Sequence, residues 1–248
     1  MDDHELAGYL AKLAGAKLLD FREKSISSGI NSWVLRDKGD LISHNLLMEK
    51  LSEHRPDDAV LSEEGSDDHS RLSANRVWIV DPLDGSQDYP YKGSEEWAVH
   101  VALIENGILK AGAVSCPSLG RHYSTCSKYP KERQLRQERI VVTNRWNSYQ
   151  AAYVAEAIGA RLASCGSAGI KASLVIGEDA DVYIHNSGLY EWDVCAPVAI
   201  ARAAGLEACQ LDGTDFEFNK RSPVARGLVI SHPELIEQVL QVLNNNFS

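Results

Sequence analysis

The sequence predicts an α+β protein with two domains, and three observations support this. An amphipathic helical pattern opens the chain, a run of apolar strands follows, and strands alternate with helices in the second half. The 248 residues, 44% of them hydrophobic, are enough for two small domains that each bury a core. We place the boundary in the polar, basic-rich stretch 128–138, which divides the chain into domains 1–135 and 136–248.

The first half begins with two predicted helices. Residues 3–23 place leucines and a phenylalanine on one face at helical spacing, and residues 41–53 repeat that pattern. Asp40 follows a glycine just before the second helix, a position typical of an N-cap. Short strands are then expected at residues 60–61, 77–80, 97–104, 108–114 and 121–125, with a hairpin turn at Asn106-Gly107.

Strands and helices alternate in the second half of the chain. Strands are expected at residues 140–143, 182–184 and 228–230. Helices are expected at residues 148–159, from Gly166-Ser167-Ala168-Gly169 onward, near Asp193 and from Pro233 onward.

Composition excludes several classes of protein. With 35 acidic and 25 basic residues the net charge is -10, which disfavours proteins that bind nucleic-acid backbones or anionic membranes. No apolar run approaches the ~20 residues of a membrane span, and the acidic start at Met1–Glu5 does not resemble a secretory signal. The five scattered cysteines form no zinc motif and indicate reduced thiols in a cytoplasmic protein.

The acidic surplus is concentrated in one segment between Asp57 and Glu95. It contains Asp57, Asp58, Glu63, Glu64, Asp67, Asp68, Asp81, Asp84, Asp88 and Glu95. Such a segment is either a solvated acidic face or a place where a cation binds. We expect Asp57, Asp58, Asp67 and Asp68 to belong to the solvated part.

The segment Asp81-Pro82-Leu83-Asp84-Gly85-Ser86 is the strongest candidate for a cation site. A buried strand ends at Asp81, Pro82 stops sheet pairing, Gly85 permits a tight turn, and a helix can begin after it. The turn would direct both carboxylates and the Leu83 carbonyl into one volume, and these hard oxygen ligands suit Mg²⁺. Carboxylates about 4 Å apart repel by ~4 kcal/mol at an effective dielectric of ~20, which favours a metal. An Asx-type turn with its acids in water remains an alternative.

Two further acidic positions can complete such a site. Glu63-Glu64 follow the preceding strand and would add oxygen ligands if the two strand ends are neighbours. Asp193, in Glu191-Trp192-Asp193, stands at a predicted helix start, where a negative charge is favoured. It could equally be a plain N-cap.

In these motifs the chain resembles the inositol-monophosphatase-like phosphatases, which are Mg²⁺-dependent and lithium-sensitive. The matching residues are Ser62-Glu63-Glu64, 78–86, and Trp192-Asp193 through Gly205, in the family's order and approximate spacing. Within this superfamily the chain is most similar to the CysQ-type 3'(2'),5'-bisphosphate nucleotidases, on the segments 166–171 and 61–101, the latter with Glu96-Trp97-Ala98-Val99-His100. The resemblance implies a layered αβαβα fold with the active site between the domains.

The resemblance also implies a ligand set for two to three Mg²⁺ ions. Glu63, Asp81 and the Leu83 carbonyl would bind one ion, and Asp81, Asp84 and Asp193 would bind a second. Glu64 would lie outside this set or bind a weaker third ion.

Catalytic and substrate-binding roles follow from the same resemblance. The Ser86 hydroxyl, where the family has threonine, would orient or deprotonate the attacking water together with Asp40, and Glu63 belongs to the catalytic set. Asp40 could equally be only an N-cap. The expected substrate contacts are Asp84, Gly85, Ser86, Gly166, Ser167, Lys171 and Asp193. Lys171 would face a nucleotide phosphate, or be a solvated helix lysine.

Other residues near the motifs are expected to be structural. His100 and His185 are interpreted as packed histidines and not as ligands, and Trp78 and Trp192 as core.

The resemblance implies hydrolysis of a small phosphate monoester. The expected substrate is the 3'-phosphate of adenosine 3',5'-bisphosphate or of its sulfated relative. In the family this reaction is linked to sulfate assimilation, and the family also suggests a homodimer. Inositol 1-phosphate and fructose 1,6-bisphosphate are alternative substrates. A non-enzymatic cation-binding domain is a remote alternative function.

Overall fold

The computed structural model describes residues 1–247 except 131, 132, 134, 147 and 187. Six helices run in chain order as α1 (Asp3–Ser27), α2 (Ser32–His54), α3 (Tyr149–Ala157), α4 (Ala168–Ile176), α5 (Glu191–Ala203) and α6 (Ile236–Phe247) among these residues. The strands are β1 (Ala59–Ser62), β2 (Arg76–Asp84), β3 (Ala98–Glu105), β4 (Ile108–Cys116), β5 (Arg121–Ser124), β6 (Ile140–Thr143), β7 (Arg161–Ser164), β8 (Val182–His185), β9 (Leu189–Tyr190), β10 (Glu207–Cys209), β11 (Val224–Ala225) and β12 (Leu228–Ser231).

These elements form five layers. One sheet has the order β1-β2-β3-β4-β5 and a second has the order β10-β12-β8-β6-β7. Helices α1 and α2 pack on the outer side of the first sheet, α4 and α5 contact both sheets, and α3 and α6 pack together beside β6. The expected layered αβαβα arrangement of an α+β fold is therefore confirmed.

The amphipathic pattern of the first helix explains its position. Leu6, Leu10 and Leu18 are at most 1% exposed and pack against the first sheet. The helix starts at an N-cap, Asp2, whose side chain accepts a hydrogen bond from the Glu5 amide at 2.8 Å.

The two halves share one of their buried clusters. Residues of β2 and β3 lie in the same buried cluster as residues of α4, α5 and β8. The first sheet ends at Ser124 and the second begins at Ile140, but the middle helices contact both sheets, so the division into two domains stays a prediction. Part of the predicted boundary stretch, 131, 132 and 134, lies outside the described residues. Arg133, within it, is not solvated: its guanidinium donates to the Val175 carbonyl at 3.0 Å.

The second helix begins earlier than predicted, and Asp40 is not its N-cap. Helix α2 begins at Ser32, and the Asn31 side chain caps it by accepting a hydrogen bond from Trp33 N at 2.9 Å. The pattern was hidden because Trp33 and Val34 are exposed on the first turn. Asp40 therefore lies inside the helix and its carboxylate is free for another role.

The acidic turn differs from its prediction in one respect. Strand β2 continues through Pro82 to Asp84, and its pairing with β3 is interrupted only between Asp81 and Asp84. Gly85 follows with a φ of +82°, and the chain then forms turns where a helix was expected. Proline removes one ladder hydrogen bond, which a local irregularity in the strand can absorb.

Two acids expected to be solvated are in fact paired. Asp58 accepts a hydrogen bond from Trp78 Nε1 at 2.8 Å and from Arg76 Nε at 2.9 Å. Asp67 pairs with the buried Arg71 guanidinium at 2.8 Å. The acidic surplus is thus partly neutralised by Arg76 and Arg71.

The shortest strands escaped prediction. Strands β9 and β11 have two residues each, β10 has three, and β7 is mostly exposed, so that none of them carries a clear alternating pattern. Each described cysteine is free of disulfide bonds, as expected. Within the described residues, no helix is long and apolar enough to cross a membrane.

Candidate active site

Three carboxylates meet where the two halves of the chain meet. Asp81 and Asp84 come from the end of β2 and Asp193 from the start of α5, and one carboxylate oxygen from each lies within 4.8 Å of the other two. The sequence predicted this group, although Asp193 is more than a hundred residues from the other two. Such a cluster can bind a cation through hard oxygen ligands.

Asp81 is the most buried member of this cluster. Its side chain is 1% exposed, one carboxyl oxygen accepts a hydrogen bond from Leu83 N at 3.0 Å, and Oδ2 has no hydrogen-bond partner among the described residues. Burial, followed by the charges of Glu63, Asp84 and Asp193, raises the pKa of Asp81 well above its usual value. A buried carboxylate in this state needs either a proton or a cation.

Asp84 is held by the first turn of α4. Its carboxylate accepts hydrogen bonds from Ala168 N at 3.0 Å, from Gly169 N at 2.7 Å and from the Ser167 hydroxyl. His100 Nε2 lies 3.1 Å from Oδ2 of the same carboxylate. Burial would raise the pKa of Asp84, but the His100 charge and these hydrogen bonds together hold it well below its usual range. Asp84 is therefore charged and fixed in place.

His100 is packed, as expected, but it packs against a predicted metal ligand. The ring is fully buried, and Nδ1 lies 3.0 Å from the Trp192 carbonyl oxygen. A Cβ at Gly169 would collide with Nε2 of His100, so a glycine is required for α4 to approach this closely. Sequence reasoning missed the contact with Asp84, and the only available signal was a polar residue inside an apolar strand.

Asp193 stands in the first turn of α5. Its Oδ2 accepts a hydrogen bond from Tyr190 N at 2.6 Å. Asp193 therefore makes a capping contact at the helix start and is also a member of the carboxylate cluster. Burial of the carboxyl and then the charge of Asp84 raise the pKa of Asp193 to about 7. The neighbouring Trp192 is half-buried: it packs against the edge of the core and stacks on Tyr190 with ring centroids 4.8 Å apart. Trp78, in contrast, is fully buried as expected.

A second acidic group lies beside the cluster. Glu63 and Glu64 follow β1, and Asp40 faces them from α2. Burial and then the charges of Glu64 and Glu63 raise the pKa of Asp40 to about 7. Burial also raises the pKa of Glu63, although a hydrogen bond with Asp81 lowers it. The structure thus joins Asp40 to the predicted ligand Glu63.

Gly85 and Ser86 form the turn after Asp84. Gly85 has a positive φ, and a Cβ there would collide with the Glu96 carbonyl, so only glycine fits. The turn is closed by a hydrogen bond from Asp88 N to the Gly85 carbonyl at 2.8 Å. Ser86 is half-buried within it. The Leu83 side chain is buried in the first domain's core, and its carbonyl as a metal ligand stays a prediction.

Ser167 and Gly166 support the site through its acids. Ser167 has a φ of +52°, donates its hydroxyl to Asp84 and accepts a hydrogen bond from Ile170 N at 3.0 Å. A non-glycine residue at positive φ is strained, and such strain is common at functional sites. The Gly166 amide donates to Glu96. Their expected contacts with substrate stay predictions.

Lys171 was expected either to contact a phosphate or to be solvated, and its environment matches neither expectation. It is 2% exposed, and its ammonium donates to the carbonyls of Cys165, Gly166 and Ser167 at 3.3, 3.0 and 2.7 Å. These bonds use all three of its donors. It is therefore not a solvated lysine, and a phosphate contact would require it to give up one of these bonds.

His185 lines a cleft together with Asp84 and Asp193, and the Tyr183 hydroxyl lies 2.9 Å from its Nδ1. This contact agrees with its expected role as a packed histidine.

The donor set fits a divalent cation. All three clustered groups are carboxylates, and Asp81 Oδ2 is buried with no hydrogen-bond partner in the part of the chain that the structure describes. Burial with mutual repulsion raises the pKa of Asp81 and of Asp193. A cation at this position would satisfy the unpaired oxygen and remove the repulsion.

Comparison with known proteins connects this geometry to a family. Residues 35–246 match the model of the inositol monophosphatase family. The chain belongs to the inositol monophosphatase family. Its relatives include the 3'-phosphoadenosine 5'-phosphate phosphatase of Mycobacterium leprae, 34% identical over 98% of this chain and 94% of that protein. The 3'(2'),5'-bisphosphate nucleotidase CysQ of Salmonella typhimurium is 28% identical over 84% of this chain and 86% of that one.

Solved structures of this family have the same fold. CysQ from Bacteroides thetaiotaomicron matches with a TM-score of 0.76 and 28% identity, over 93% of this chain and 97% of that one. An inositol monophosphatase from Staphylococcus aureus matches with a TM-score of 0.80 and 19% identity, over 99% and 95% of the two chains. The resemblance inferred from the motifs is therefore confirmed. That the three-carboxylate cluster forms the metal centre stays a prediction.

Proposed function

We propose that this chain is a Mg²⁺-dependent phosphatase that removes the 3'-phosphate of adenosine 3',5'-bisphosphate or of its 5'-sulfated form. The observation that carries the proposal is the cluster of Asp81, Asp84 and Asp193, in a chain similar over nearly its whole length to 3'-phosphoadenosine 5'-phosphate phosphatases. Carboxylates alone would repel a phosphate, so the positive field must come from bound cations.

The residues that would hold the ions are those of the two acidic groups. Asp81, Asp84 and Asp193 would bind one Mg²⁺, while Glu63 and the Leu83 carbonyl would bind a second that shares Asp81. When bound, the ions polarise a water molecule and neutralise charge on the phosphate oxygens. The ordered Asp84 carboxylate, fixed by α4, limits where the cluster can hold a cation.

The chain's own groups would position the water and the phosphate. Asp40, with its pKa raised to about 7, can hold or release a proton at neutral pH. We assign it, together with the Ser86 hydroxyl, to orienting the attacking water. The amides of the turn that begins at Gly85 would bind phosphate oxygens as a backbone anion site.

The decisive experiment compares phosphate release from adenosine 3',5'-bisphosphate, inositol 1-phosphate and fructose 1,6-bisphosphate. We expect the nucleotide to be preferred, with loss of activity in a metal chelator and inhibition by Li⁺. A preference for inositol 1-phosphate would overturn the nucleotidase assignment, and activity in the chelator would overturn the mechanism. Inositol 1-phosphate stays the main alternative because solved inositol monophosphatases share the fold.

Variants test the assigned residues. Asp81→Asn and Asp193→Asn should lower kcat at least ~100-fold, because removing even an outer partner of a metal ligand costs about 10- to 100-fold. The exposed Asp57→Asn is the matched control and should be unchanged. Ser86→Ala should lower kcat by roughly 100-fold or more, whereas Ser86→Thr keeps the hydroxyl and should remain active.

Three broader properties belong to the same proposal. We propose a homodimer, tested by light scattering coupled to size-exclusion chromatography. A cytoplasmic location accords with the five free cysteines. A role in sulfate assimilation would be tested by whether deletion of the gene causes the bisphosphate nucleotide to accumulate in cells.

A further inference from the structure

An exposed tryptophan stands at the rim of the candidate active site. Trp146 is 82% exposed, although tryptophan side chains are on average well buried. It follows Thr143, the last residue of β6, and it lines a cleft of about 270 Å³ together with Asp84 and Asp193. We propose that the Trp146 indole is the platform on which the purine base of the substrate stacks, an inference that rests on the proposed function.

The segment that carries the indole is anchored across the cleft. The Arg145 guanidinium pairs with Asp88 Oδ1 at 2.9 Å and with the Glu96 carboxylate, both from the first half of the chain. The Asn144 side chain donates to the backbone carbonyl of Trp146. These bonds hold the backbone beside the indole, so the ring is presented from a fixed base.

The anchor also continues to the reacting end of the cleft. Glu96, which pairs with Arg145, accepts a hydrogen bond from Gly166 N, and the next residue, Ser167, donates to Asp84. Trp146 and the carboxylate cluster are therefore parts of one connected wall. A ligand whose phosphate lies at the carboxylates would extend its other end along this wall.

The chemistry of the wall favours a flat, apolar group. Among the described residues that line the cleft, Trp146 is the one side chain with an indole or phenyl ring. The cation beside it, Arg145, is already paired with two carboxylates and is poorly available to a phosphate. Nucleobases stack on aromatic rings through their π-faces, which an inositol or fructose ring lacks. The subsite therefore selects a nucleotide over a sugar phosphate.

Steady-state kinetics of Trp146→Ala on adenosine 3',5'-bisphosphate test this subsite. Stacking of one base corresponds to about a 5- to 150-fold change in affinity, so we expect KM to rise by this amount with kcat within about 3-fold. Trp146→Phe keeps a ring and should retain a KM near that of the unchanged protein. Trp33→Ala is the matched control, because Trp33 is also 68% exposed but lies on α2 and stacks with Arg36.

Binding measurements separate this proposal from the proposed function. Calorimetric titration of adenosine 5'-monophosphate, which carries the base but no 3'-phosphate, should show weaker binding to Trp146→Ala by the same factor. If the unchanged protein binds this nucleotide through Trp146 but hydrolyses no 3'-phosphate, the proposed function fails and the subsite stands. Unchanged KM and unchanged nucleotide affinity in Trp146→Ala would overturn the subsite. A substitution that changed only the oligomeric state of the protein would overturn it as well. Absence of any nucleotide binding would overturn both.

Discussion

Nε2 of His100 lies 3.1 Å from Oδ2 of Asp84, and both side chains are buried. The other ring nitrogen faces the Trp192 carbonyl oxygen at 3.0 Å. Burial lowers the pKa of His100, but the charge of Asp84 and the contact with it raise that pKa above its usual value. A protonated ring would place positive charge beside the acidic cluster.

Metal binding should consequently release protons. Asp81, Asp193 and His100 all have raised pKa values, and a cation at the cluster would lower each of them. We expect at least about one proton to be released per chain when Mg²⁺ binds at pH 6.5. Calorimetric titrations in buffers with different ionisation enthalpies measure this number. Release of no protons would contradict the protonated cluster.

Variants apportion this proton release among the residues. His100→Asn removes one group with a raised pKa and should reduce the number of protons released when Mg²⁺ binds. His232→Asn alters a histidine outside the cluster and should leave that number unchanged. An unchanged number in His100→Asn would place the protons on the carboxyl groups alone.

Without metal, the protein should become less stable as the pH rises from 5 to 8. The pKa values of Asp40 and Asp193 are raised from 3.8 to about 7, so the folded state binds more protons than the unfolded state between these values. The pair of His100 and Asp84 acts in the same direction over this range, since the contribution of a raised histidine pKa is lost on the alkaline side. The lowered pKa of Asp84 matters only below about pH 4.

Thermal unfolding measures this dependence directly. With chelator present, we expect Tm to fall by roughly 5 to 10 °C between pH 5 and pH 8, a loss of a few kcal/mol for a chain of this size. Saturating Mg²⁺ should reverse most of this fall, because the cation replaces the protons. A Tm that is independent of pH in chelator would show that the acids are ionised without cost.

Ser167 should act through Asp84 and α4. Ser167→Ala removes the hydroxyl that binds the carboxylate and the oxygen that caps Ile170 N, so we expect a loss of about 1–2 kcal/mol in the free energy of unfolding. Weaker Mg²⁺ binding, by about 10-fold, should accompany it. Urea denaturation and calorimetric titration measure the two effects.

Helix α3 provides the control for this variant. Ser148 occupies the N-cap of α3 but makes no side-chain capping hydrogen bond. Ser148→Ala should therefore change stability by less than about 0.5 kcal/mol and leave Mg²⁺ affinity unchanged. Equal effects of the two substitutions would show that Ser167 has no special relationship to Asp84.

The sequence was most informative where the site is local. The turn containing Asp81 and Asp84 and the helix start at Asp193 could be identified, because each is encoded by neighbouring residues whose types restrict the backbone. The layered fold followed from apolar periodicity in the same way, and from the family resemblance.

Contacts between distant segments could not be predicted. Ser167 and Asp84 are separated by 83 positions, and nothing in either segment indicates that α4 supports the end of β2. Likewise, an N-cap role for Asp40 stayed open in the sequence because the exposed Trp33 and Val34 hide the first turn of α2. Side-chain partners of this kind depend on tertiary packing, which periodicity and motif spacing do not determine.

Lys171 should act by positioning the segment 165–167 and not by binding phosphate. Its ammonium donates to all three carbonyls of that segment while buried. Lys171→Met leaves these acceptors unpaired, so we expect a loss of about 1–3 kcal/mol in the free energy of unfolding and a lower kcat. The fall in kcat should be similar for the bisphosphate nucleotide and for a small phosphate ester without a base.

The division between KM and kcat decides between the two roles of this lysine. A direct phosphate contact would raise KM for the bisphosphate nucleotide alone and leave stability nearly unchanged, whereas a positioning role lowers kcat for every substrate together with stability. Lys220→Met is the matched control, because the Lys220 ammonium also binds a backbone carbonyl, that of Val224 at 2.8 Å, but at an exposed site outside the cleft. Loss of stability in Lys171→Met without any change in kcat would mean that the segment 165–167 keeps its position without the ammonium.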